Sequence, residues 1–310
     1  MEIGDAHQAG DDACHEATSV THDPMSDTPP LAVTCDSDRP GTIARADALA
    51  LRLQLPQHRA ATDASALQLV VTDERIELRL SGSTVGPVYC EFTPGRFGYR
   101  KTLPLRHELI ARAIGFSGVP LDVIDMTAGL GRDAMLLTLL GCRVTAIEAH
   151  PVVFELLADG LRRAAHDEAT GRAIEQRLRL IHGDAVEALA AWPVDAPPDV
   201  VYLDPMFPPR RQSALMKKEM LMLARLVGQT DDAVRLLSAA FRTGCHRVVV
   251  KRPRHAPSLV APGGPPASLR VEGRAARFDV YFPSGLAADD SRRSGDREPS
   301  VTSEAAHERQ

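Results

Sequence analysis

The chain has 310 residues, 44% of them hydrophobic and 25% charged, the balance of an ordinary globular protein with room for one large α/β domain and a smaller one. No apolar run approaches the roughly 20 residues that a membrane helix needs, and the acidic start "MEIGDAHQAGDDACHEA" lacks the apolar core of a signal peptide. The formal charge of -5 divides unevenly, with -8 over residues 1–40, zero over 41–90, +5 over 91–283 and -2 over 284–310. The acidity therefore lies in the tails. A mildly basic remainder suits a polyanionic partner or an ordinary solvated surface equally well.

Residues 1–40 are rich in Asp, Ser, Thr, Pro and His without hydrophobic period, and are expected to be a disordered acidic tail. Residues 284–310 read the same way. Between them, residues 41–100 suggest a small N-terminal subdomain, a structural lid or scaffold. "ARADALALRLQL" has helical spacing. "LQLVVT", "RIELRL" and "PVYCEFT" are β-type runs, expected to form a small antiparallel meander. The five cysteines, Cys14, Cys35, Cys90, Cys142 and Cys245, form no CxxC pair. Free thiols in a reducing cytoplasm, with no zinc or redox site, are the expectation.

From residue 101 to 283, helices and strands alternate. "LRHELIARAIG" is a helix, "LDVIDMT" a strand, "GRDAMLLTLLG" a helix and "RVTAIEA" a strand. "PVVFELLADGLRRAAHD" is a helix with Pro151 in its first turn. "RLRLIHGD" is a strand, "AVEALAAW" a short helix and "PDVVYLDP" a strand. The helices "SALMKKEMLMLARLVG" and "DDAVRLLSAAFRTG" follow, then the strands "HRVVVKRP" and "RFDVYFP". This is the pattern of a doubly wound, Rossmann-like α/β sheet, in which ligands bind beyond the carboxyl ends of the strands.

Four motifs stand just after strands. In "DMTAGLGRDA", Asp125 ends a strand, and Gly129 and Gly131 allow positive φ and close backbone approach. The helix that follows offers free N–H groups to a nucleotide-like cofactor. Gly129 to Ala134 also fits the G-x-G-x-x-A of dinucleotide folds. Glu148 ends the next strand, where an acid accepts from the ribose hydroxyls of NAD or of S-adenosylmethionine. Asp184 either accepts from an adenine amine or caps the helix beginning at Ala185. In "VVYLDPMFPPRRQ", Pro205 pushes Asp204 out of the helical region. The Asp204 carboxylate and the Pro205 carbonyl can both accept from an exocyclic amine, with Phe207 against a flat base. An amine whose lone pair feeds an aromatic ring is a poor nucleophile. Two acceptors would align it and raise its electron density. The alternative is a turn with a capping Asp and a buried Phe.

At "DMTAGLGRDA", "LDPMFP", "SALMKKEM" and "VVVKRP" the chain resembles the ribosomal RNA small subunit methyltransferase J family, from about Ala66 to Phe282. The resemblance implies a class I S-adenosylmethionine-dependent methyltransferase that modifies N2 of guanosine 1516 in 16S rRNA, as free rRNA or within the small ribosomal subunit. It implies that Arg132 and Asp133 contact the cofactor, that Glu148 and Ala149 flank its ribose, and that Asp184 and Ala185 lie near its adenine. Asp204 would face both cofactor and acceptor. Two positions depart from the family. Leu103, Pro104 and Leu105 stand where it carries glycines, although Arg106 and Glu108 match. Ala185 has no hydroxyl, so a bond there must use the backbone. Arg210, Arg211, Lys217, Lys218, Lys251 and Arg252 are expected to grip RNA phosphates. A nicotinamide-dependent oxidoreductase, a non-catalytic RNA-binding factor and a DNA or protein-glutamine methyltransferase are the rival readings.

Overall fold

The computed structural model describes residues 31–58, 67–84, 86–93, 105–205, 214–228 and 232–283, without the side chains of Ala169 and of residues 214–220. The chain enters on a strand, β1 (Leu31–Cys35), and a helix, α1 (Pro40–Leu53), followed by β2 (Gln57–His58), β3 (Leu67–Val71) and β4 (Ile76–Leu80). These strands form one sheet in the order β2-β1-β3-β4. β1 runs parallel to β2 and to β3, and β4 returns antiparallel to β3.

Residues 31–40 therefore belong to the folded unit and not to the expected tail. "LAVTC" is an interior strand of the sheet, and Val33 is fully buried. Five apolar-leaning residues among Asp and Pro carry little signal, because the partner strand β3 lies more than thirty residues away. The expected meander is likewise only half realised. β3 and β4 pair as a hairpin, but "PVYCEFT" touches the sheet through one bridge, Leu78 to Val88. Cys90 and Phe92 leave the sheet instead and bury in the core of the larger unit.

After a single 3₁₀ turn (Leu105–His107), the larger unit runs α2 (Leu109–Ala113), β5 (Asp122–Asp125), α3 (Arg132–Leu140), β6 (Arg143–Glu148), α4 (Pro151–Ala164), α5 (Glu168–Arg177), β7 (Leu178–His182), α6 (Ala185–Ala190) and β8 (Val200–Leu203). It closes with α7 (Ala214–Val227), α8 (Ala233–Ala240), β9 (Arg247–Pro253), β10 (Leu269–Glu272) and β11 (Ala276–Tyr281). The seven strands lie in the order β10-β11-β9-β8-β5-β6-β7. The five from β9 to β7 are parallel, while β11 is antiparallel to β9 and to β10.

β8 shows why the centre forms. All four of its residues are buried, as an apolar run covered on both faces must be. Each fully buried Val or Leu contributes about 1.5–3 kcal/mol. The sheet order reverses between β5 and β8, since the chain winds outward through β6 and β7 and then returns to β8 and β9. The loops leaving β5 and β8 diverge there and open a crevice.

Within the larger unit, one helix and one strand also escaped the sequence reading. α5 is mostly polar, burying Thr170 and Ala173 with Ile174 beside them, and is capped by Asp167, which accepts from the Thr170 N–H at 2.9 Å. β10 is an edge strand with one buried residue, Val271.

The two sheets share one continuous apolar core. α4 carries the join. Its Asp159 carboxylate is fully buried and accepts from the Ile76 N–H of β4 at 3.1 Å. The same carboxylate pairs with Arg163 at 2.9 Å, with Arg45 of α1 at 3.5 Å, and with Arg162. Arg163 also pairs with Glu91 at 2.8 Å. A Cβ added to Gly160 would lie 2.4 Å from Cys90 Cβ, so only glycine lets the chain pass this close to the helix. Among the described residues, no helix is long and apolar enough to cross a membrane, and Cys35, Cys90, Cys142 and Cys245 are free thiols.

Candidate active site

The crevice at the sheet reversal is built from the ends of β5, β6, β8 and β9 and the start of α3. Asp125 closes β5, and its Oδ1 accepts from the Thr127 N–H at 3.0 Å and, more weakly, from the Thr127 hydroxyl at 3.4 Å. The same hydroxyl oxygen accepts from the Asp204 N–H at 2.6 Å. Thr127 thus staples the end of β5 to the end of β8. The sequence reading did not single it out, although a threonine two residues after a strand-ending aspartate is a recognisable side-chain turn.

The glycine loop follows. Gly129 has φ 53° and Gly131, the residue before α3, has φ 72°. Gly131 is also held by packing, because a Cβ there would meet Leu157 Cδ1 at 2.3 Å and Phe92 at 3.3 Å. The N-terminal subdomain therefore supports the loop through Phe92. Glu148, at the end of β6, fixes the loop from the other side. Its Oε2 accepts from the Gly129 N–H at 2.8 Å and its Oε1 from the His150 N–H at 2.8 Å. Burial raises the Glu148 carboxyl above its ordinary range against those two donors. The Ala149 N–H also favours its charged form, and a carboxylate with about four acceptor sites keeps room for a ligand hydroxyl beside three backbone donors. Ala149 beside it is exposed, as is Arg132 at the first position of α3.

Asp184 is the N-cap of α6. Its Oδ1 accepts from the N–H groups of Val186 at 2.8 Å and Glu187 at 3.1 Å. Its Oδ2 accepts from both terminal nitrogens of Arg235, at 2.6 and 2.9 Å. These four donors take up the carboxylate's accepting capacity. A contact from this side chain to an adenine amine would have to displace Arg235, a residue not anticipated from the sequence. Ala185 is buried beneath the helix start.

Asp204 leaves β8 with its carboxylate partly exposed in the crevice, and Pro205 behind it is buried. Its Oδ2 accepts from Lys251 Nζ at 2.8 Å. The same ammonium reaches Asp133 Oδ2 at 2.7 Å, and the Tyr202 hydroxyl donates to that oxygen at 2.6 Å. Burial pushes the Asp204 carboxyl up, Lys251 opposes that shift, and Asp133 adds to it. Asp125 is raised to about 8, chiefly by complete burial, with Asp133, Asp204 and Glu148 adding to the shift.

The structure corrects two expected phosphate grips. Lys251 is turned into the crevice between two carboxylates. Arg252, its neighbour on β9, is buried on the other face and donates to the Pro257 carbonyl at 2.6 and 3.1 Å. Successive residues of a strand point to opposite faces, so Arg252 is buried on one face while Lys251 stays partly exposed on the other, engaged by the two carboxylates. Phe207, Arg210, Arg211, Leu103 and Pro104 lie outside the described residues, as do the side chains of Lys217 and Lys218.

The donor set bears on the cofactor. Asp125 feels the charges of Asp133, Asp204 and Glu148, and Lys251 stands between Asp133 and Asp204. Such a crevice repels a pyrophosphate and attracts a ligand bearing a sulfonium and an ammonium. A glycine loop before a helix and an acid at the end of the next strand are what a nucleoside requires. The residues present thus fit S-adenosylmethionine better than a dinucleotide.

Comparison with known proteins agrees. The family model described as "Putative SAM-dependent methyltransferase" matches residues 48–283. A ribosomal RNA small subunit methyltransferase J of Edwardsiella ictaluri is 46% identical over 242 residues, covering 77% of this chain and 95% of that protein. The protein of the same name from Dechloromonas aromatica is 48% identical over 216 residues, covering 69% and 86%. The crystal structure of a SAM-dependent methyltransferase from Neisseria gonorrhoeae superposes with a TM-score of 0.63 at 36% identity, covering 86% of this chain and 100% of that one. The chain therefore belongs to the S-adenosylmethionine-dependent methyltransferase family that includes the ribosomal RNA small subunit methyltransferases J, with a Rossmann-like class I fold and S-adenosylmethionine as its cofactor.

Proposed function

We propose that the protein transfers a methyl group from S-adenosylmethionine to the exocyclic N2 of a guanosine in small-subunit (16S) rRNA, by family resemblance guanosine 1516. The observation that carries this reading is Asp204. Its backbone is stapled by Thr127 and its carboxylate is held by Lys251 at the mouth of the crevice. The names of the curated relatives support the rRNA substrate.

When bound, S-adenosylmethionine supplies an electrophilic methyl on a sulfonium. The chain's own residues then bind and orient. Glu148 accepts from ribose hydroxyls, with Ala149 alongside. The backbone at Gly129, Gly131, Arg132 and Asp133 lies against the methionine part, with Asp125 buried beneath that loop and holding it through Thr127. The Ala185 N–H, beside Asp184, serves the adenine edge. At the acceptor, the Asp204 carboxylate and the Pro205 carbonyl accept from the guanine amine, and Phe207 lies against the base. These contacts turn the nitrogen lone pair out of conjugation and toward the methyl group, which is catalysis by positioning and electrostatics. Arg210, Arg211, Lys217 and Lys218 grip phosphates, a sequence-independent contact that weakens with salt.

The test is methyl transfer to 16S rRNA and to small subunits by Asp204→Ala, together with mass mapping of rRNA nucleotides from cells lacking the protein. The variant is expected to bind cofactor normally and to lose at least about 100-fold in kcat. A near wild-type rate with cofactor binding intact would remove Asp204 from the mechanism. An unchanged modification pattern in the cells would remove the substrate assignment.

A further inference from the structure

Lys251 does something other than what a basic residue after a strand suggests. Its Nζ sits between two carboxylates of different parentage. Asp204 comes from the acceptor side, at the end of β8, and Asp133 from the first turn of the helix behind the glycine loop, on the cofactor side. Tyr202, also on β8, donates to the Asp133 oxygen that Lys251 touches. The four side chains form a continuous chain, Tyr202 to Asp133 to Lys251 to Asp204. Burial works against the ammonium, yet the two carboxylates outweigh it and hold Lys251 above the usual lysine range. The residue is thus a fixed positive charge.

Asp204 is faced by Lys251 from β9, Asp133 from α3, Tyr202 from β8 and Asp125 from β5. Of these, only Lys251 favours a charged carboxylate. A protonated Asp204 would present one oxygen as a donor and would lose accepting capacity toward an amine.

We propose that Lys251 is the positioning residue of the methyl-acceptor site, tying the Asp204 carboxylate to Asp133 so that it stays ionised and aimed at the acceptor amine. This rests on the reading of Asp204 given above. It differs from a phosphate contact, which would act on RNA affinity, and from a packing role, which would act on stability.

The test uses the full chain with S-adenosylmethionine and small-subunit rRNA or particles. Lys251→Met, Lys251→Gln and Lys251→Arg are compared for kcat, both KM values and cofactor affinity by calorimetry, across pH. The Met and Gln variants are expected to lower kcat at neutral pH by about tenfold or more. Their acidic limb should move up by about 1–3 pH units, the effect of one opposite charge at contact distance. Activity therefore returns toward alkaline pH, while KM for RNA and its salt dependence stay as in the wild type. Arg keeps the charge and should keep the limb.

A readout independent of turnover is the carboxyl signal of Asp204, assigned against Asp204→Asn by carbon NMR of labelled aspartate. Its titration should move up in Lys251→Gln. A raised KM for RNA with a shallower salt slope and an unmoved limb would make Lys251 a phosphate contact. A pH-independent loss with a lowered melting temperature, or failure of both Met and Gln variants to fold, would make it structural. Either result overturns the proposal. A wild-type protein that methylates neither substrate would instead overturn the functional reading, and the Asp204 titration would still decide the role of Lys251.

Discussion

Asp125 places a pH-dependent load on the fold. It is completely buried at the end of β5, and its carboxyl is raised from 3.8 to about 8, first by burial and then by Asp133, Asp204 and Glu148. In the unfolded chain it ionises near the ordinary aspartate value, so between about pH 4 and 8 the folded state holds a proton that the unfolded state has released. Stability from this group is thus fully present below the unfolded pKa and is lost as pH rises through the folded one. The slope approaches about 1.4 kcal/mol per pH unit inside the window, and the whole shift amounts to roughly 6 kcal/mol. Asp125→Asn removes the titration and keeps an oxygen for the Thr127 N–H. Urea unfolding of both proteins without cofactor, at steps from pH 5 to 8.5, measures the difference. The variant should gain on the wild type steadily with pH, on top of a constant offset. Parallel curves would show that Asp125 ionises normally in the folded protein, and the argument from burial would fail. The same reasoning makes binding of a cationic cofactor release protons near pH 7, which calorimetry in buffers of different ionisation enthalpy would detect.

Other perturbations address how the two sheets are joined. Asp159→Ala strands Arg163 and Arg162 without their carboxylate and unties the Ile76 N–H. A loss of about 3–5 kcal/mol is expected, with earlier proteolytic cleavage in residues 31–93, and a loss under about 1 kcal/mol would contradict it. Gly160→Ala should destabilise by about 1–3 kcal/mol through the Cys90 contact, although alanine favours a helix by about 1 kcal/mol elsewhere. A stabilised variant in urea melts would show that the strand segment gives way.

The candidate crevice was partly legible locally. Asp125, Glu148 and Asp204 each close a β-type run, with the glycine loop and Asp184 just beyond strand ends, and a strand end in a doubly wound sheet is where a ligand is expected. The helices with a strong apolar stripe, such as α4 and α8, were equally plain. What failed had little local signal. β1 is five residues long and pairs with a distant strand, α5 is mostly polar, and β10 is an exposed edge.

The partnerships were hidden for a related reason. Nothing in "VVVKRP" distinguishes a lysine facing two carboxylates from one facing solvent, because strand alternation gives two faces without saying what covers each. The cap at Asp184 could be foreseen, but its occupation by Arg235, fifty-one positions away, could not. By itself the order of residues determined the class of fold, the strand ends and the carboxylates that stand at them, since hydrophobic period, glycine and proline act over a few neighbours. Only the tertiary structure decided which of those carboxylates share a lysine and which are buried with their carboxyls pushed up. It also decided that the segment leaving the small sheet supports the glycine loop through Phe92. Charge coupling and burial depend on distances in space, and residues 125, 133, 148, 204 and 251 come within reach of one another only when β5, β6, β8 and β9 lie side by side.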